Sequence, residues 1–126
     1  QNIAMSATFN TSSSSFIDVT GVSVTLATRT GLMAFVTADF AYNCSSVNAR
    51  CSFQLLVDGV ATGRYAFWSE DASDYNSQPN MMGSISAVAD SGEIVKLQCH
   101  CTGAPDIYIF GTTAGDGTKI DALEVS

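Results

Sequence analysis

Apolar residues in this chain recur at every second position, which commits it to strands that each hide one face. In Leu32-Met33-Ala34-Phe35-Val36-Thr37-Ala38-Asp39-Phe40-Ala41-Tyr42, the even positions Leu32, Val36, Ala38, Phe40 and Tyr42 form an apolar face. The odd face mixes Met33 and Phe35 with Thr37 and Asp39. Phe53, Leu55 and Val57 alternate with Gln54 and Asp58, and Val95, Leu97, Cys99 and Cys101 alternate with Lys96, Gln98 and His100. Leu123 and Val125 alternate with Ala122 and Glu124 near the end. No window sustains the i, i+3, i+4, i+7 spacing of an amphipathic helix.

Turn signals cut this pattern at Gly21, Thr30-Gly31, Asp58-Gly59, Ser91-Gly92, Gly103-Ala104-Pro105 and Gly115-Asp116-Gly117. Between them the spacing predicts nine or ten strands, near 3–9, 15–19, 22–28, 32–43, 52–58, 60–69, 81–89, 93–101, 106–111 and 119–125. Short strands at such intervals make a sandwich or barrel. At 126 residues the expectation is one all-β domain over 1–126, an antiparallel β-sandwich, with 1–10 an edge or exchanged strand.

Charge narrows the partners. Five basic residues against twelve acidic ones leave a net charge of −7, and Arg29, Arg50, Arg64, Lys96 and Lys119 form no run. Binding nucleic acid through phosphates needs clustered cations, so nucleic acid is not an expected partner, and an anionic membrane surface fails for the same reason. No apolar stretch approaches the ~20 residues that span a bilayer. Only 13% of residues are charged, so a polar surface has to come chiefly from Ser and Thr hydroxyls. The chain begins at Gln1 with no basic-then-apolar leader, which reads as a processed product or a fragment.

Cys44, Cys51, Cys99 and Cys101 form an even set, which points to an oxidising, extracellular setting. Three pairings are open, and Cys44–Cys51 is the first choice because the residues between them read as a loop joining two strands. A zinc site on these cysteines and His100 fits poorly, since structural sites favour spacers of about two to four residues between paired cysteines. No metal or other cofactor is expected.

The segments Ser15-Phe16-Ile17-Asp18-Val19-Thr20-Gly21-Val22-Ser23-Val24-Thr25-Leu26, Leu56-Val57-Asp58-Gly59, Ser91-Gly92-Glu93-Ile94-Val95-Lys96-Leu97-Gln98 and Ile120-Asp121-Ala122-Leu123-Glu124-Val125 appear in that order. Together they resemble the small jelly rolls related to the tumour-necrosis-factor and complement globular-head domains. Bacterial and phage versions of these occur in tail fibres, capsid decorations and surface appendages. The four cysteines and the length of the 70–80 loop depart from the family pattern. The resemblance implies a homotrimer packed through the sheet that carries the first, last and long third strands. It also implies capsid or fibre proteins as partners, at an extracellular or virion surface. Met33 and Phe35, on the face opposite the core set, and Ile107-Tyr108-Ile109-Phe110, apolar on both faces, suit such a seam. Met33, Phe35, Tyr108 and Phe110 are therefore the candidate interface residues.

Candidate chemistry is sparse. His100 is the only histidine, and Cys99 and Cys101 alternate away from it, so no in-strand Cys–His pair can form. No catalytic set is expected. Glu70, Asp71 and Asp74, with Asn76, are oxygen donors that suit calcium or simply a solvated acidic loop. Trp68 and Tyr75 flank that stretch, either as a loop recognising a cell-surface glycan or as packing at the end of the sandwich. Asn10-Thr11-Ser12 and Asn43-Cys44-Ser45 match the glycosylation tripeptide. The leading expectation is a structural or attachment protein on a virion surface. The rivals are a filament subunit assembled by exchange of the N-terminal strand and a secreted carbohydrate-binding module.

Overall fold

Ten strands form in the computed structural model, which describes residues 2–44, 49–69, 81–102, 107–109, 111 and 117–125. They are β1 (Asn2–Ala4), β2 (Phe9–Thr11), β3 (Ile17–Thr25), β4 (Met33–Cys44), β5 (Ala49–Val57), β6 (Val60–Ser69), β7 (Met81–Asp90), β8 (Ile94–Thr102), β9 (Ile107–Ile109) and β10 (Lys119–Val125). All pairings are antiparallel.

The long β4 organises a six-stranded sheet. One of its sides pairs with β7 over Met33–Tyr42. The other takes β10 over Met33–Asp39 and then β9 over Tyr42–Cys44, with β1 outside β10 and β2 outside β9. The second sheet runs β3-β8-β5-β6. The two sheets stack as a sandwich, which buries the inward face that period-two alternation gives each strand.

The predicted inward sets are the core. Val36, Ala38, Phe40 and Tyr42 from β4 meet Phe53 and Leu55 from β5 and Val95, Leu97, Cys99 and Cys101 from β8, all at most 1% exposed. Phe40 stacks on Phe53 with centroids 4.0 Å apart, and Tyr42 lies 5.2 Å from the same ring, so three aromatics join the sheets. The Asp58-Gly59 turn closes the β5–β6 hairpin with φ of 46° and 86°, the left-handed pair that a two-residue type I′ turn needs.

Three expectations change. The strand expected at 3–9 divides into β1 and β2, because Met5 turns into the core and its N–H donates to the Thr118 carbonyl at 3.0 Å. Gly21 does not separate two strands. Val19 and Val22 are both buried, so β3 arches outward at Gly21 and returns to the same neighbour, β8.

The third correction is the disulfide, which joins Cys51 to Cys101 and not Cys44 to Cys51. β4 and β5 belong to different sheets, so Cys44 and Cys51 do not lie on the two arms of one hairpin. Cys51 and Cys101 are directly opposite each other on β5 and β8, with Cα atoms 4.3 Å apart, and both face the core. Closely spaced antiparallel pairs sit about 4.5 Å apart, within bonding reach for two cysteines.

Candidate functional site

The outer face of the six-stranded sheet carries an apolar patch that the strand register assembles. Leu123 of β10, Phe35 of β4 and Val88 of β7 are opposite one another and form a row across three strands. They are 68%, 51% and 51% exposed. Val125 and Met33 form the next row, which ends at Asp90. Further along β4 the same face turns polar. Thr37 and Ser86 hydroxyls are 3.3 Å apart, Lys119 lies 3.4 Å from Asp121, and Asn2 donates to Asp121. One end of the face is greasy and its middle is polar, while beyond the middle Met82, 54% exposed, stands opposite Ala41.

The outer face of the other sheet carries a polar network across β3, β8 and β5, with Ile94, 40% exposed, at the start of β8. Gln54 donates its amide to Gln98 at 2.8 Å, and Gln98 donates to Asp18 at 2.8 Å. Lys96 closes the chain on the second Asp18 oxygen at 3.1 Å. The Gln98 amide, and then the Lys96 ammonium, hold the Asp18 carboxyl below its ordinary value. On this face too, His100 meets Phe16 edge-on at 4.3 Å. On the core side of β8, burial pushes the Cys99 thiol up to about 12, so it stays protonated and is a poor nucleophile.

The predicted residues separate. Met33 and Phe35 are together on the outer face. Tyr108 is on that face too but pairs with Asn43, eight residues along β4 from Phe35, which is roughly 27 Å at about 3.4 Å per residue. It belongs to the opposite end of the sheet, half-buried, and not to the apolar patch. Phe110, Tyr75, Glu70, Asp71 and Asp74 lie outside the described residues. For Trp68 the backbone alone is described, opposite Arg50 in β6. Among the described residues no group of three or more His, Cys, Asp or Glu is placed to hold a metal. Asn10 is exposed, whereas Asn43 is 1% exposed and closed to modification in the folded chain.

Sequence reasoning missed Leu123, Val125 and Val88 as members of the patch. The signal was present in β10, where Ile120 and Ala122 occupy the inward positions and leave Leu123 and Val125 outward. Which strands flank β4 is a matter of topology, so alternation alone could not align these residues with Phe35.

No family model and no curated protein matches the chain. Solved structures do match its fold. A chain of dimeric latent PorU from Porphyromonas gingivalis aligns with a TM-score of 0.59 and 12% identity, covering 98% of this chain and 12% of that one. A chain from infectious bursal disease virus, Gx strain, aligns at 0.55 and 12%, covering 99% and 31%. The Eiger TNF of S. frugiperda aligns at 0.51 and 13%, covering 99% and 90%. This chain thus spans a minor part of the first two and most of the third. At such identities the likeness establishes the fold: a jelly-roll-like antiparallel sandwich, similar to a TNF and to a viral chain.

Proposed function

We propose that this chain is a structural or attachment protein displayed on a virion surface, as a capsid decoration or the knob of a fibre, and that it works as a homotrimer. The observation that carries the reading is the row Leu123–Phe35–Val88 with Met33 and Val125 beside it. Monomers seldom leave a contiguous apolar patch of this kind in water, and covering it releases about 25 cal/mol per Å² of apolar surface. The patch lies on the sheet that holds β1, β10 and β4, the sheet that the family resemblance uses for trimer packing. On the opposite face the linked Gln54, Gln98, Asp18 and Lys96 suit solvent. The likeness to a TNF and to a viral chain supports the same reading. The intramolecular disulfide fits an oxidising, extracellular setting.

Sedimentation equilibrium tests it. The expected species has three times the 13.2 kDa monomer mass. Phe35→Asp should weaken association by about 2 kcal/mol or more, roughly 30-fold, with the monomer still folded because Phe35 is outside the core. A wild-type chain that stays monomeric at high concentration overturns the proposal. Electron microscopy of the particle then distinguishes a lattice decoration from a fibre tip.

A further inference from the structure

The arch in β3 builds a site that self-association does not use. Pairing steps from Asp18 opposite Gln98 to Ser23 opposite Lys96, so Val19, Thr20, Gly21 and Val22 stand against Leu97 alone. A bulge this large lifts backbone off the ladder and re-aims side chains. Val19 and Val22 turn into the core, while Thr20 and Gly21 ride outside. Gly21 holds a φ of 86°, a conformation that side chains rarely adopt, and so lets the chain turn over. Beside the arch is a cleft of about 360 Å³ lined by residues 18–23 and Lys96. A second cleft, of about 310 Å³, shares Thr20 and Gly21 and has Phe9 in its wall. Small-ligand sites occupy roughly 300–1,000 Å³.

We propose that this cleft binds a neutral saccharide. Asp18 and Lys96 already neutralise each other at 3.1 Å, so a charged ligand meets no unopposed charge there. A sugar needs none. Its hydroxyls can donate to the remaining carboxylate lone pairs and accept the remaining ammonium hydrogens, with the pair intact. The carboxylate is aimed in advance: Gln98 holds one oxygen, and Gln54, only 6% exposed, holds Gln98. A buried amide committed to orienting a surface carboxylate is a preorganised recognition element. Thr20 and Ser23, both exposed, add hydroxyls, and the net charge of −7 turns anions away.

The test is a titration of the labelled full chain, read on backbone amide resonances. Glucose, galactose, mannose, fucose and N-acetylglucosamine form one set of arms; inorganic phosphate, glycine and calcium chloride form the others. Saturable shifts at residues 18–23 and 96 are expected from at least one sugar and from none of the charged probes. Thr20→Trp, at an exposed position where the indole fills the cleft, should abolish them and leave the rest of the spectrum unchanged. Asp18→Asn keeps the shape and should weaken binding roughly tenfold through loss of a charge-assisted hydrogen bond, which keeps the test decisive if Thr20→Trp does not fold. Silence from every sugar, shifts from the charged probes alone, or sugar shifts that survive both substitutions would overturn the assignment.

Discussion

Removing the Cys51–Cys101 bond should cost about 4 kcal/mol, and the size of that loss reports which cysteines are joined. The bond closes a loop of 50 residues. Chain-entropy accounting gives about 4.1 kcal/mol at 25 °C for a loop of that length. A Cys44–Cys51 bond would close only 7 residues and contribute about 2.4 kcal/mol. Both sulfurs are buried, so Cys51→Ala with Cys101→Ala also loses core packing, which makes the larger figure a lower bound. Unfolding entropy near 2.1 cal/mol/K per residue, over 126 residues, converts it to a fall in Tm of roughly 15 °C. Urea unfolding of the double variant against wild type measures the loss, and a non-reducing peptide map identifies the bond. A loss below about 2.5 kcal/mol, or a map that links Cys44 to Cys51, would refute the register argument for β5 and β8.

Three further outcomes test the core. Cys99 should resist alkylation at pH 8 in the folded protein and react on unfolding, as mass spectrometry after native and denaturing labelling would register. Its thiol titrates near 12 when folded against an ordinary 9.0, so the unfolded chain loses its proton first. Stability should therefore fall as pH rises above 9.0, by up to about 1.4 kcal/mol per pH unit, and Cys99→Ala should flatten that limb in urea titrations. Gly83 faces the Phe40 ring so closely that a Cβ would overlap it. Gly83→Ala should cost about 1–3 kcal/mol by forcing the ring off its stack with Phe53, seen as a lower urea midpoint. An unchanged midpoint would mean the ring has room to move.

Much of the fold was legible because strand alternation is a local property. Phe40 and Tyr42, Phe53 and Leu55, and Leu97 and Cys99 face the core as their spacing requires, and Asp58-Gly59 turns where its chemistry requires. The errors fell where a residue's role depends on distant chain. Gly21 has the composition of a turn, but β8 recaptures the strand on both sides of it. Cys44 and Cys51 are near in sequence, but they end up in different sheets. Tyr108 and Phe35 share a face, yet β9 meets β4 at the far end from the patch.

The amino-acid order by itself thus determined which side chains point inward, since a pleated strand turns alternate residues to opposite faces whatever lies beside it. It also determined the acidic, hydroxyl-rich surface and the outward placement of Phe35. Only the tertiary structure decided which strands are neighbours. That choice paired Cys51 with Cys101, brought Leu123 and Val88 to either side of Phe35, and aimed Gln54 through Gln98 at Asp18. Strand adjacency depends on contacts between residues far apart in the chain, and no local window of residues contains them.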